Sequence, residues 1–206
     1  MLQRSSRNTS LAGLAALCIF CAAALKICDV KAADKPPGPR GDAVAGKRKT
    51  AACNGCHAVA GMKNVPSLGG QGNAYFVGAM HAYRDGARSH ATIRDVAGQL
   101  SERDLADLAA YYAEVSAGGD VVQAIAPPDV SAQCTQCHGA DGAQGAMPEV
   151  PRLAGQKPAY LDQTLRAYRS GARRHPIMQQ QAAALTDDQI TELAAYYAGR
   201  PGLLVK

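Results

Sequence analysis

The strongest constraint on this chain is a five-residue pattern that it uses twice: Cys53-Asn54-Gly55-Cys56-His57 and Cys134-Thr135-Gln136-Cys137-His138. Two cysteines three positions apart share one face of a helical turn, and the histidine follows directly. Two thiols and one imidazole therefore converge on a single object, and the fold must leave room for it beside a helix. Haem answers this donor set: the thiols add to its two vinyl groups and the imidazole takes an axial position on iron. A redox disulfide with this spacing belongs in a βαβ setting, and the chain shows no strand periodicity. A four-cysteine zinc ribbon closes over about 15 to 20 residues between its pairs, whereas 77 residues separate Cys56 from Cys134.

The motif is part of a longer repeat. Gln71–Tyr112 aligns with Gln156–Tyr197 at a constant offset of 85, with 17 identities in 42 positions and no gap. Tyr75 pairs with Tyr160, Tyr83-Arg84 with Tyr168-Arg169, Arg88 with Arg173, and Ala109-Ala110-Tyr111-Tyr112 with Ala194-Ala195-Tyr196-Tyr197. The two motifs are offset by only 81, so the second unit carries four extra residues between His138 and Gln156. Units this small bury little core by themselves, and a covalently held cofactor is expected to form the centre of each. The glycine- and proline-containing stretch before the second motif reads as a linker.

Local signals predict helices throughout. Asp42 is a candidate N-cap for a helix running towards Cys53; a second helix is expected over 74–84 and a third over 101–115, capped by Ser101 with Glu102 and Asp104 in its first turn. Leu105, Leu108, Ala109 and Tyr112 form one stripe of that third helix and are expected in the core.

Charge and targeting signals bound the function. Residues 1–32 read as a signal peptide: Arg4 and Arg7 begin it, Leu11–Leu25 is an apolar run, and Val30-Lys31-Ala32 is a small-residue cleavage site. The run is short for a bilayer span, and an uncleaved anchor is the alternative. Cleavage would remove Cys18, Cys21 and Cys28, leave four cysteines, all in the two motifs, and lower the formal net charge from +5 to +2. Haem propionates would offset that remainder, so a nucleic-acid role has little electrostatic support. Export of a protein with no cysteine left for a structural disulfide points to the periplasm, with the product either soluble or loosely membrane-associated.

Two CxxCH units, each followed by a P-x-L-x-G-Q segment (Pro66–Gln71 and Pro151–Gln156) and each ending in L-A-A-Y-Y-A, resemble the dihaem cytochrome c4 family across nearly the whole chain after residue 32. The resemblance implies an all-α fold of two tandem class I cytochrome c domains related by pseudo-twofold symmetry, and two covalently bound haem c groups. The expected organisation is 1–32 signal peptide, 33–117 domain 1, 118–130 linker and 131–206 domain 2. It further implies thioether links at Cys53, Cys56, Cys134 and Cys137, proximal ligands His57 and His138, and a distal ligand Met178. Pro66 and Pro151 match the prolines whose carbonyls hold the proximal rings, and Gly46 matches a glycine at a close helix crossing. Seven residues before Cys134 stands Pro127 instead, so the second domain's first helix is expected to start after Pro128.

The halves part at the distal ligand. Ile93 aligns with Met178 and cannot bind iron. Haem 1 is left with an empty sixth position or with His90, Met80, His81 or Met62. The arginines Arg84, Arg88, Arg169, Arg173 and Arg174 are expected to line propionates or a docking face, or simply to face solvent. The leading expectation is a periplasmic electron carrier, not an enzyme, with no catalytic residues and no substrate pocket in domain 2. Its partners would be membrane respiratory complexes or a terminal oxidase, or a dehydrogenase subunit. The alternative is an open haem 1 that binds or reduces a small molecule, fed by haem 2.

Overall fold

The computed structural model describes residues 40–57, 62–116 and 125–202. The expected signal peptide, most of the lead-in and residues 117–124 of the linker region lie outside the described residues. All regular structure among the described residues is helical. The first half contains α1 (Ala43–Arg48), α2 (Ala51–His57), α3 (Asn73–Arg84), α4 (Ala91–Gln99) and α5 (Glu102–Glu114). The second half opens with a 3₁₀ turn, Asp129–Ser131, followed by α6 (Ala132–His138), α7 (Pro158–Arg169), α8 (Pro176–Ala183) and α9 (Asp187–Ala198).

The capping chemistry read from sequence is present. Asp42 accepts the backbone N–H groups of Val44 and Ala45, and Ser101 forms a reciprocal capping box with Asp104. Thr186 and Gln189 do the same at α9. One helix expected from Asp42 to Cys53 is instead two. Lys49 closes α1, its ammonium held 2.6 Å from Asp104 and 2.7 Å from Asp107 of α5. The Thr50 hydroxyl, buried behind it, donates back to the carbonyl of Lys47. Two further helices, α4 and α8, lie outside the expected helical stretches; their N-caps are His90 and His175 rather than the usual small polar residues.

Each half packs its last helix against the helix after its motif loop. In the first half Leu105, Leu108, Ala109 and Tyr112 of α5 are all buried, as their spacing predicted, and Tyr112 stacks on Phe76 of α3 at 5.6 Å between ring centroids. A fully buried Leu is worth roughly 1.5–3 kcal/mol relative to exposure. In the second half Ile190, Leu193, Ala194 and Tyr197 of α9 pack with Leu161 of α7. The glycine expectation also holds: a Cβ on Gly46 would come within 2.0 Å of the Asp107 carbonyl oxygen, so α1 and α5 meet backbone to backbone. Among the described residues the second half has no such crossing, and its chain enters α6 from Pro128 through the short 3₁₀ turn.

The two halves contact one another reciprocally. The Gln71 carboxamide brackets Arg152, accepting its N–H at 3.1 Å and donating to its carbonyl at 2.7 Å. The Gln156 carboxamide does the same to Ser67, at 2.8 and 3.0 Å. Residue i meeting the equivalent of j, and j that of i, is the signature of a twofold relation. The loops agree: Gly70 and Gly155, both at positive φ where glycine is at home, donate to the carbonyls of Tyr112 and Tyr197.

Candidate haem sites

The first motif occupies α2 and the second α6, so each pair of thiols lies on one helical turn ending in its histidine. Cys53 and Cys134 are half-buried, Cys56 and Cys137 exposed, and none is in a disulfide. Burial pushes the Cys53 and Cys134 thiols up, and hydrogen bonding to Tyr112 and Tyr197 respectively opposes it. Among the described residues no group of three His, Cys, Asp or Glu side chains converges as a bare metal site would.

Both imidazoles are oriented identically. The His57 Nδ1–H donates to the Pro66 carbonyl at 2.8 Å, and the His138 Nδ1–H donates to the Pro151 carbonyl, also at 2.8 Å. These bonds select the tautomer whose Nε2 lone pair is free for iron, and such a bond raises ligand basicity. Burial lowers the pKa of both histidines, outweighing the opposing carbonyl bond, and so favours the neutral ring that a metal needs. The donor chemistry therefore fits covalent haem at each motif.

The distal candidates separate clearly. Met178 is the third residue of α8, its N–H donating to the Nδ1 of the N-cap His175 at 3.4 Å. Ile93 is the third residue of α4, its N–H donating to the Nδ1 of the N-cap His90 at 3.4 Å. The two caps have nearly the same backbone angles, φ −167 and −166. The alignment is thus in register in three dimensions, and isoleucine stands where the other half has methionine. His90 caps its helix and His81 holds Glu102 at 3.0 Å. Met80 packs on the cluster of Phe76, Leu108 and Tyr112, which also contacts Cys53. Met62 is 41% exposed.

Two arginines prove to be staples rather than propionate ligands. Arg84 of α3 donates to the carbonyls of Ala97 and Leu100, and Arg169 of α7 donates to the carbonyl of Leu185, so each ties down the turn before the last helix of its half. Sequence spacing could not reveal this, because the acceptors are backbone atoms.

An all-helical fold with two CxxCH helices and two pre-oriented imidazoles defines a c-type cytochrome. The cytochrome c family profile matches residues 129–198. The chain is 34% identical to cytochrome c4 of Pseudomonas aeruginosa over 77% of its own length and 89% of the relative's. The crystal structure of reduced cytochrome c4 from Pseudomonas stutzeri superposes with a TM-score of 0.67 and 30% identity, covering 78% of this chain and 99% of that one. A thiosulfate dehydrogenase electron acceptor of Thiomonas intermedia is 29% identical over 74% of this chain and 80% of its own. The chain belongs to the dihaem cytochrome c4 family, carries covalently bound haem c and serves electron transfer. No helix among the described residues is long and apolar enough to cross a membrane.

Proposed function

We propose that this protein is a periplasmic carrier that passes single electrons between respiratory partners through two unequal haems. Residues 33–117 and 131–206 form its two domains, joined by 118–130 and released from a signal peptide at 1–32. Haem 1 is held by thioether bonds to Cys53 and Cys56 with His57 as proximal ligand. Haem 2 would be held by Cys134 and Cys137, with His138 as proximal and Met178 as distal ligand. The observation that carries this reading is the paired 2.8 Å bond from each imidazole to a proline carbonyl, which leaves the same ring nitrogen free in both halves.

The thioether of Met178 favours reduced iron and raises the potential of haem 2, and haem 1 has no such donor on α4. With the lower potential at haem 1, electrons would pass from the first half to the second. The likeness to electron-acceptor proteins of thiosulfate dehydrogenases supports a dehydrogenase as donor, with a membrane complex or oxidase downstream. An all-protein covalent haem count tests the assignment. Two haems should remain on the denatured chain, one should be lost from a Cys53→Ser, Cys56→Ser double variant, and the other from a Cys134→Ser, Cys137→Ser variant. Haem that extracts into acidic solvent from the wild-type chain would refute it.

A further inference from the structure

The proximal loop of the first half is held by two consecutive residues of the second. Residues 62–67 present the Pro66 carbonyl to His57. At one end the Lys157 ammonium donates to the Met62 carbonyl at 3.0 Å; at the other the Gln156 carboxamide brackets Ser67. The two clamps are joined, because the Lys157 N–H donates to the Gln156 Oε1 at 3.0 Å. Lys157 is also the N-cap residue of α7, and its carbonyl accepts the N–H groups of Tyr160 and Leu161. The root of the side chain is therefore fixed by the helix. A lysine has no side-chain acceptor with which to cap, and its ammonium instead reaches across to the other half.

The loop of the second half is built the same way but lacks this clamp among the described residues. At the offset of 85, Met62 corresponds to Met147, Val65 to Val150 and Lys157 to Gly72. The correspondence holds in three dimensions: the Val65 N–H donates to the Met62 carbonyl at 3.3 Å, and the Val150 N–H to the Met147 carbonyl at 3.0 Å. Gln71 still brackets Arg152, beside Pro151. Gly72, the N-cap of α3, has no side chain with which to hold Met147. Arg152 itself turns to the Gly70 carbonyl at 2.6 Å. The electrostatics follow the geometry. Burial is the main cause of the lowered His57 pKa, opposed by the Pro66 bond; the positive charge of Lys157 adds to it, and that of a protonated His90 adds less. At His138 the burial and the Pro151 bond act alone.

We propose that Lys157 is a positioning residue through which the second half tunes haem 1: it fixes the Met62 end of the loop that aims His57, and it sets a positive charge on the proximal side of that haem alone. This rests on the two-haem reading above. Oxidation of haem iron adds one positive charge, and a fixed cation nearby opposes it. The same cation makes the imidazole a weaker base, which gives ferric iron less support. Both effects favour reduced iron and raise the potential of haem 1. Haem 1 is the centre without a methionine on α4, so Lys157 narrows the drop that electrons descend between the haems. Lys157 is half-buried and Met62 exposed, so salt screens part of the charge.

The test uses the holoprotein with its two haems counted, and titrates each haem spectroelectrochemically at low and high salt. Lys157→Met, which removes both the donor and the charge, should keep both covalent haems, lower the midpoint potential of haem 1 and leave that of haem 2 at its wild-type value. Lys157→Arg keeps donor and charge and should return haem 1 to near its wild-type potential. The difference between wild type and Lys157→Met should shrink in concentrated salt. In the oxidised protein, Lys157→Met should move the hyperfine-shifted NMR resonances of His57 and not those of His138. An unchanged haem 1 potential in a two-haem Lys157→Met variant would overturn the proposal. So would an equal fall at both haems, which would report loosened packing rather than a clamp on one loop, and so would a failure of Lys157→Arg to rescue. Absence of covalent haem from the wild type would instead refute the cofactor reading.

Discussion

The two halves solve the same problem with different parts. On the proximal side they agree despite unequal loops: the proline stands nine positions after His57 and thirteen positions after His138, yet both bonds measure 2.8 Å. Lengthening a surface loop costs little free energy, whereas tilting an imaginary axis of the ring would spoil the ligand. On the distal side they diverge at one residue, Ile93 against Met178, on helices whose caps are otherwise equivalent. They diverge again at the entrance, where α1 and its Gly46 crossing have no counterpart before α6 among the described residues. The scaffold is kept where it orients a ligand and varied where it sets the properties of each centre.

Exchanging the distal residues should produce the largest change. Axial ligands move haem potentials over a range of about 0.8 V, so Met178→Ile should lower the potential of haem 2 by on the order of 100 mV, while Ile93→Met should raise that of haem 1 by a similar amount. Low-temperature electron paramagnetic resonance of the oxidised wild type should show two distinct centres. Two indistinguishable His/Met signals would mean that Met80 or Met62 replaces the missing ligand and that the halves are chemically alike.

A smaller effect, on stability rather than potential, should follow from Gly46→Ala. The new Cβ would strike the Asp107 carbonyl and the Tyr111 Cβ, and overpacking of this kind costs about 1–3 kcal/mol or more. Denaturant unfolding followed at each haem's absorption should show the first half released earlier and the second unaffected. Simultaneous loss of both would show that the interface, through Gln71 and Gln156, couples the halves into one unfolding unit.

The smallest predicted effect is a difference in acid tolerance. The Lys49 ammonium holds the Asp107 carboxyl below the usual carboxylate range, helped by the N–H of Asp42 and the charge of Arg103. A depressed folded-state pKa contributes stability above the ordinary value of about 4 that is lost as pH falls through the lower one. The equivalent residue in the second half, Glu192, is exposed. Acidification should therefore loosen the α1–α5 packing of the first half below about pH 4. Asp107→Asn should lower stability at neutral pH and flatten that acid transition; an unchanged acid midpoint would show that the ion pairs at Lys49 are solvated and inert.

Much of this was legible in order along the chain. The CxxCH motifs, the offset of 85, the caps at Asp42 and Ser101, and the core stripe of α5 depend on residues a few positions apart, and local periodicity encodes them directly. The place of Gly46 and the roles of Pro66 and Pro151 were legible through the family resemblance, and the geometry agrees. The histidine-capped helices α4 and α8 lie outside the expected helical stretches: their N-cap positions carry His90 and His175 rather than a small polar residue, and only α8 offers a start signal, Pro176 at its first position. The break at Lys49, whose partners lie 55 and 58 residues away, and the stapling role of Arg84 and Arg169 were not legible.

What the sequence by itself determined is the chemistry offered at each centre: two thiols and an imidazole in each half, and a methionine at the aligned distal position, Met178 against Ile93, in only one. What the tertiary structure alone decided is where the long side chains end. Arg173 could have faced solvent, as a helix-flanking arginine commonly does; packing of the two halves instead buries it against Tyr75, 98 residues away. Thiol and imidazole chemistry travels with residue type and short spacing. The fate of a buried charge depends on which surfaces exclude water together, and those surfaces exist only once the two halves have met.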